Sequence, residues 1–340
     1  MALTILSSNR VESLQEILCR RLSDQVLTDP LAQEFIVVPT YAMARWLNLQ
    51  IAQQKGIAAN IKYPLPAAWV WQLAASILDH VPLQDPLQRD HTSWKIFNLL
   101  PAMTGVKSFA PLQRYLRDDD AGIKRWQLAT RIAEVFDRYQ LYRPELIRDW
   151  SAGREHDWQS ELWRALIVDA GQNHRVAVLG KLIKRLNPSF DGSLLPERVS
   201  LFAVSSLSPL LVQVIHALAQ HTEITLYQHS PTDQYWADLK NKKSLSRMRL
   251  ENPQQAEYFE TGNDLLASWG RQGQALQDLL LDHEALPVCE WELYQAPGSS
   301  SLLQAIQQTI FDLESNYAVI DADKSLSIHV CHSPMRECQV

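Results

Sequence analysis

The sequence is poor in the residues that would mark several common kinds of protein. Its four cysteines, Cys19, Cys289, Cys331 and Cys338, fit no disulfide framework and no paired Cys-x-x-Cys zinc site, and so point to a reducing cytoplasm. No apolar run reaches the length of a membrane span. The amino terminus lacks a basic stretch followed by an apolar core and cleavage site, so neither a spanning helix nor a secretory signal is expected. Positive charge is not in excess: the formal net charge is −6, which argues against a general nucleic-acid coat but leaves room for a local basic channel. Glycine is scarce, 11 in 340 residues, and none lies between Leu3 and Leu22. That absence weighs most, because this stretch otherwise has the layout of a phosphate-binding loop.

Leu3, Ile5 and Leu6 form a short apolar run that reads as a strand opening a buried sheet. Ser7, Ser8 and Asn9 supply turn and helix-cap chemistry, since their side chains accept bonds from free N–H groups at a helix start. Val11, Leu14, Ile17, Leu18 and Leu22 then recur at helical spacing. Strand, tight polar loop and amphipathic helix are the scaffold of a P-loop. Its working parts are missing: no glycine lets the backbone wrap phosphates, and no Lys-Ser/Thr pair reaches phosphate and Mg²⁺. From these residues alone, an ordinary βα turn is the favoured reading.

What the chain has is apolar residues, 46% against 21% charged, and 11 tryptophans, enough for a large core or for flat docking surfaces. Phe35 to Val38 is wholly apolar and rich in branched residues, the mark of a strand buried on both faces. Pro39-Thr40 ends it, and Met43, Trp46 and Leu47 restart helical spacing. Ile61 to Pro66 leads into a helix carrying Trp69, Trp71, Leu73 and Leu78. This β-α-β-α start predicts a doubly wound parallel sheet. From Pro82 the pattern turns helical, with amphipathic segments at His91–Leu100, Trp126–Tyr142 and Trp158–Ala170, and Asn187–Pro196 as the exit. Strands resume at Arg198–Val204 and Glu223–Tyr227, with a helix at Pro209–Ala219 between them. Lys240–Arg249, five basic residues and no acid, is predicted as a solvated loop.

Gln295–Ser301 reads as a linker, and Ser301 with Gln304 as a capping box for a helix on Leu302, Ile306 and Ile310. Leu326–Val330 reads as a strand, and Ser333-Pro334 as the cap and first turn of a helix that runs about two turns to Val340. A domain seldom ends inside its first helix, so the chain reads as part of something longer. The expected organisation is one α/β domain from 1–85 and 196–325, a helical insertion at 86–195, and the start of a further domain at 326–340.

Two ligand patterns fail on spacing. His329, Cys331, His332 and Cys338 resemble a zinc cluster, but strand alternation throws His332 to the opposite face. Asp321, Asp323 and Lys324 resemble a nuclease Asp-x-Lys, with the wrong spacing and no upstream acid.

Several segments together carry a family resemblance: SSNRVESL after the first strand, VPTYAMARWL, GIAANIKYPLPAAWVW, FDRYQLYRP, LLASWG and HVCHSPMRE, in this order over the whole chain. The sequence resembles the RecC family, the gamma subunits of bacterial exodeoxyribonuclease V, the RecBCD helicase–nuclease. The resemblance implies an inactivated superfamily 1 helicase-like α/β domain with a large helical insertion of the 1B type. The P-loop position is Ser7, Ser8, Asn9 and Arg10, degenerate. The position of the Mg²⁺-holding acidic pair is Phe202 to Leu207, with no carboxylate, so the metal would lack hard oxygen ligands and water a base. No cofactor or metal is expected here; ATP and Mg would be bound by partner subunits, RecB and RecD. Single-stranded and forked DNA is the implied ligand.

The implied Chi-reading surface falls on Pro39, Tyr41, Arg45, Leu65, Trp71, Glu134, Val135, Asp137, Arg143 and Arg175. The types suit the task. Trp71 and Leu65 stack on or wedge splayed bases, the arginines hold phosphates or guanine edges, and Glu134 and Asp137 accept from base amino groups. Pro39, Tyr41 and Arg45 depart from the best-known enterobacterial pattern, which has small polar or amide side chains there. Bland readings stand beside these: Trp71 as core, and Asp137 with Arg143 as a surface ion pair. The alternatives of other classes are a helicase-derived nuclease chain of AddB type and a purely structural adaptor.

Overall fold

The computed structural model of the chain describes residues 3–103, 105–168, 171, 173–281, 288–315 and 323–339. It opens with β1 (Leu3–Ser8), α1 (Val11–Asp24), β2 (Glu34–Val37), α2 (Tyr41–Lys55), β3 (Ile61–Lys62) and α3 (Pro66–Ile77). A run of helices follows: α4 (Arg89–Met103), α5 (Ala110–Tyr115), α6 (Ile123–Tyr142), α7 (Pro144–Ser151), α8 (Trp158–Ile167) and α9 (Arg175–Arg185). The chain then returns through β4 (Arg198–Phe202), α10 (Pro209–Ala219) and β5 (Glu223–His229). The last part holds α11 (Lys242–Glu251), α12 (Pro253–Ala256), α13 (Asp264–Trp269), α14 (Arg271–Leu281), β6 (Val288–Glu292), α15 (Leu302–Phe311) and α16 (Pro334–Glu337).

The six strands form one sheet in the order β3-β2-β4-β5-β1-β6, every pairing parallel. β2 pairs with β4, Ile36 opposite Ser200, so strands from before and after the helical run are direct neighbours. Both faces of the sheet are covered, which is why its strands read as continuous apolar runs. Leu6, Ile36, Val38, Phe202 and Tyr227 turn to one face and meet Leu14 and Leu18 of α1 and Leu47 and Ile51 of α2. Leu3, Ile5, Val37, Val199, Leu201, Ile224 and Leu226 turn to the other face, with Trp69 and Leu73 of α3, Leu179 of α9 and Leu211 and Ile215 of α10. This second core runs on without a break into the helical run through Ile96, Phe136, Trp150 and Trp163. Each fully buried aliphatic or aromatic side chain there contributes about 1.5–3 kcal/mol, so the helices and the sheet stabilise one another.

Four local expectations differ from the structure. Lys240–Arg249 is not a loop: α11 forms because Asn241 caps it, accepting the Ser244 N–H at 2.8 Å, and Leu245 anchors it by burial. Leu326–Val330 forms no strand; the segment is exposed and, among the described residues, has no neighbouring strand to complete a ladder. Ser7 and Ser8 belong to β1 rather than to a cap, and Arg10, at the N-cap of α1, makes no side-chain cap bond. The helix expected to reach Ala170 ends at Ile167 in α8, and Ala170 lies outside the described residues, as does Asp321. Ser301 caps α15 as expected, accepting the Gln304 N–H at 3.2 Å, but the Gln304 side chain accepts from Ser300 Oγ, so only this half of the box is made; Ser333 caps α16.

Candidate functional site

The carboxyl ends of β1, β5 and β6 open onto a crevice of about 590 Å³ lined by Asn9, Arg10, Glu12, His229, Gln295, Gln304 and Gln307, among others. Crevices at strand carboxyl ends are where open parallel sheets bind ligands. Here the loop that follows β1 spends its polar groups on the chain's own linker. Ser8 Oγ accepts the Arg10 N–H at 3.1 Å and donates to the Leu293 carbonyl at 2.7 Å. The Asn9 carboxamide donates to the Gln295 carbonyl at 2.7 Å and accepts the Gln295 N–H at 3.1 Å, a two-bond clasp of side chain on backbone. Arg10 Nη1 donates to Gln295 Oε1 at 2.7 Å. The groups that a P-loop would turn toward phosphate therefore hold the segment that leads from β6 to α15. Beyond β4, at the position implied for metal-binding acids, Ala203 takes a left-handed φ of 51° and donates its N–H to the Tyr227 carbonyl at 2.9 Å. Val204 beside it is buried.

Of the residues implied for DNA reading, one group gathers at the carboxyl ends of β2 and β3. Thr40 caps α2 by accepting the Met43 N–H at 3.2 Å, and this sets Tyr41 and Arg45 one turn apart on its exposed side. The Val38 N–H donates to the Pro64 carbonyl at 3.0 Å, which holds half-buried Pro39 next to half-buried Leu65 at the start of α3.

A second group lies on α3 and the helical run, and its charges are largely engaged. Arg175, at the start of α9, donates Nε to Asp85 and Nη1 to Asp137, both at 2.6 Å. Asp85 is buried and also accepts the Leu87 N–H at 2.8 Å. Asp85 carries the triad and has no counterpart among the sequence candidates; the bond that reveals it spans ninety positions of chain. Trp71 is 5% exposed and donates its indole N–H to the Pro82 carbonyl at 3.0 Å, so its faces belong to the core. Glu134 sits between Arg131 and Arg138 at 2.6 Å each, and the Arg131 hydrogen bond is the main reason its carboxyl lies below the usual carboxylate range. Val135 is half-buried beside it. Arg143, at the junction of α6 and α7, is exposed with its guanidinium 5.8 Å from the Tyr139 ring centre. The ion pair expected for Asp137 is made with Arg175, not Arg143. Among the described residues no hydrogen bond or ion pair links this group to the one at β2 and β3.

A parallel sheet covered on both faces by helices, whose first βα loop clasps its own linker, defines the class: an α/β protein of the parallel-sheet type. The chain belongs to the family described as "RecC, N-terminal domain", which matches residues 3–313. It is 32% identical to the "RecBCD enzyme subunit RecC" of Escherichia coli strain K12 over 99% of this chain and 34% of that protein. It is 31% identical to the protein of the same name in Haemophilus influenzae, over 98% of this chain and 35% of the relative. For the Mycolicibacterium smegmatis protein the identity is 28% over the full chain and 31% of the relative. The chain spans about a third of the length of these curated relatives. No helix among the described residues is long and apolar enough to cross a membrane.

Proposed function

We propose that this chain is the amino-terminal part of a non-catalytic DNA-binding subunit of a RecBCD-type helicase–nuclease. In this reading it guides split DNA strands and contributes to Chi recognition during double-strand break repair in the cytoplasm. RecB and RecD are its partners, and they bind the ATP and Mg. The sheet with its helical insertion is a superfamily 1 helicase-like 1A and 1B pair that has lost ATP hydrolysis. The observation that carries this reading is the clasp of Asn9 and Arg10 on Gln295, in a chain of the RecC family: the loop position of a nucleotide site is committed to internal structure.

The DNA-facing work falls on the implied residues that are exposed. Tyr41 offers a flat face, and Arg45 and Arg143 offer guanidinium groups in solvent. Pro39 and Leu65 shape the surface next to Tyr41 and Arg45. Arg175 and Asp137 are taken up by the triad and Trp71 by the core, so their part is structural. The test is Arg143→Ala in the full complex, with Chi-dependent cleavage measured beside unwinding of Chi-free DNA. A base-reading arginine contributes roughly 1–3 kcal/mol of discrimination, so Chi response should fall several-fold or more while bulk unwinding holds. A variant that responds to Chi as the parent does removes Arg143 from the reading surface.

A further inference from the structure

We propose that α11, with the exposed rings of Tyr258 and Trp269, is a contact for the backbone and bases of single-stranded nucleic acid, independent of sequence. It lies apart from the residues implied for Chi reading and does not depend on them.

Charge comes first. α11 reads KKSLSRMRLE, four cations and one acid, in a chain of net charge −6. Leu245 is buried and fixes the rotation of the helix. Lys243, Ser246, Arg247 and Leu250, at spacing i, i+3, i+4 and i+7, then form its solvent stripe, flanked by exposed Lys242 and Arg249. Acids nearby take up part of this charge: Lys242 meets Asp264 at 3.2 Å and Arg247 meets Glu251 at 2.7 Å. These are exposed pairs of little strength and exchange readily for phosphate. No ion pair among the described residues takes up Lys243 or Arg249.

The rings are the second observation. Tyr258 is 76% exposed and Trp269 82%, far more than such side chains usually show on a free surface. The fold brings the 258–260 stretch and the start of α13 to the root of α11. The 258–260 stretch runs beside 238–240, with the Lys240 N–H donating to the Glu260 carbonyl at 2.9 Å and the Lys240 ammonium 4.8 Å from the Phe259 ring centre. The Lys242–Asp264 pair ties the start of α11 to the start of α13, the helix that ends in Trp269. Cations along one helix and exposed rings on the segments tied to its start are what a flexible strand needs: phosphates neutralised along the helix and bases stacked on the rings. An acidic protein surface would match the cations as well, and competition by polyglutamate separates the two.

The experiment measures binding of a fluorescein-labelled oligothymidylate to the protein across a salt series. Each phosphate contact to a single strand contributes roughly 0.7 to the slope of log affinity against log salt. K243E/R249E should therefore lower the slope by about 1.4 and weaken binding most at low salt. Tyr258→Ala and Trp269→Ala should each weaken binding roughly five- to 150-fold with the slope unchanged. The inference is overturned if K243E/R249E binds with parental affinity and slope. It is also overturned if polyglutamate competes as well as the oligonucleotide, which would make this a surface for acidic protein. The Chi test reads cleavage by Arg143→Ala, whereas this one reads the loss of slope on reversing Lys243 and Arg249, so the two readings fail separately.

Discussion

Arg175→Ala should cost stability before it costs anything else. The Asp85 side chain is 7% exposed, Arg175 18% and Asp137 28%, so the triad is largely out of water. Removing the guanidinium leaves the Asp85 carboxylate with the Leu87 N–H as its remaining donor in a buried site. Breaking a buried pair from one side costs about 3–5 kcal/mol, because the abandoned charge keeps its desolvation penalty. Asp137, more exposed, rehydrates and adds little. The urea midpoint of Arg175→Ala should drop accordingly, while Arg143→Ala, on the surface, should stay within about 0.5 kcal/mol of the parent. D85A/R175A should recover part of the loss, since the unpaired charge goes with its partner. If Arg175→Ala unfolds within about 1 kcal/mol of the parent but loses Chi response, the triad is incidental and Arg175 faces DNA directly.

The parts of the fold visible in the sequence are those in which a single segment carries its own signal. β1, β2, β4 and β5 stand out as short apolar runs because both faces of the sheet are buried, and α15 announces itself through Ser301 and Gln304. β3, two residues long, and β6, with Glu290 and Glu292 among its five residues, carry no such pattern. They are strands because β2 and β1 accept them. α11 was hidden by its charge, which reads as solvent exposure and says nothing of backbone state. The site was less legible still. Trp71 sits at helical spacing among apolar neighbours, and its core role could be weighed from that alone. The engagement of Arg175 by Asp85 and Asp137, and of Asn9 by Gln295, are contacts between distant segments, and no local pattern encodes either.

Two further outcomes follow from named contacts. Asn9→Ala removes its two bonds to the Gln295 backbone, so limited proteolysis within 295–301 should quicken several-fold while global stability falls by about 1–2 kcal/mol. Unchanged cleavage there would mean that Ser8 and Arg10 hold the linker without it. The second outcome concerns acid. His174 is buried at the cap of α9, its Nδ1 accepting the Ala177 N–H at 3.4 Å and its ring edge-on to Trp163 at 5.5 Å. Burial first, and the Lys181 charge second, push its pKa from 6.5 down to about 4. Both the cap bond and the burial require the neutral ring. Between those two values the unfolded chain binds a proton that the folded chain does not, so stability is present above the unfolded value and drains away as pH falls toward the folded one. One pKa unit corresponds to about 1.4 kcal/mol, so this group withdraws about 3 kcal/mol across that window. Carboxylates titrate at the lower end of the same range, so the informative quantity is a difference. His174→Asn keeps a capping oxygen and has no proton to gain. Its stability should fall less steeply than the parent's between pH 6.5 and 4, measured by urea unfolding at each pH. Parallel curves for the two proteins would mean that His174 is protonated in the folded state and that its cap bond does not exist in solution.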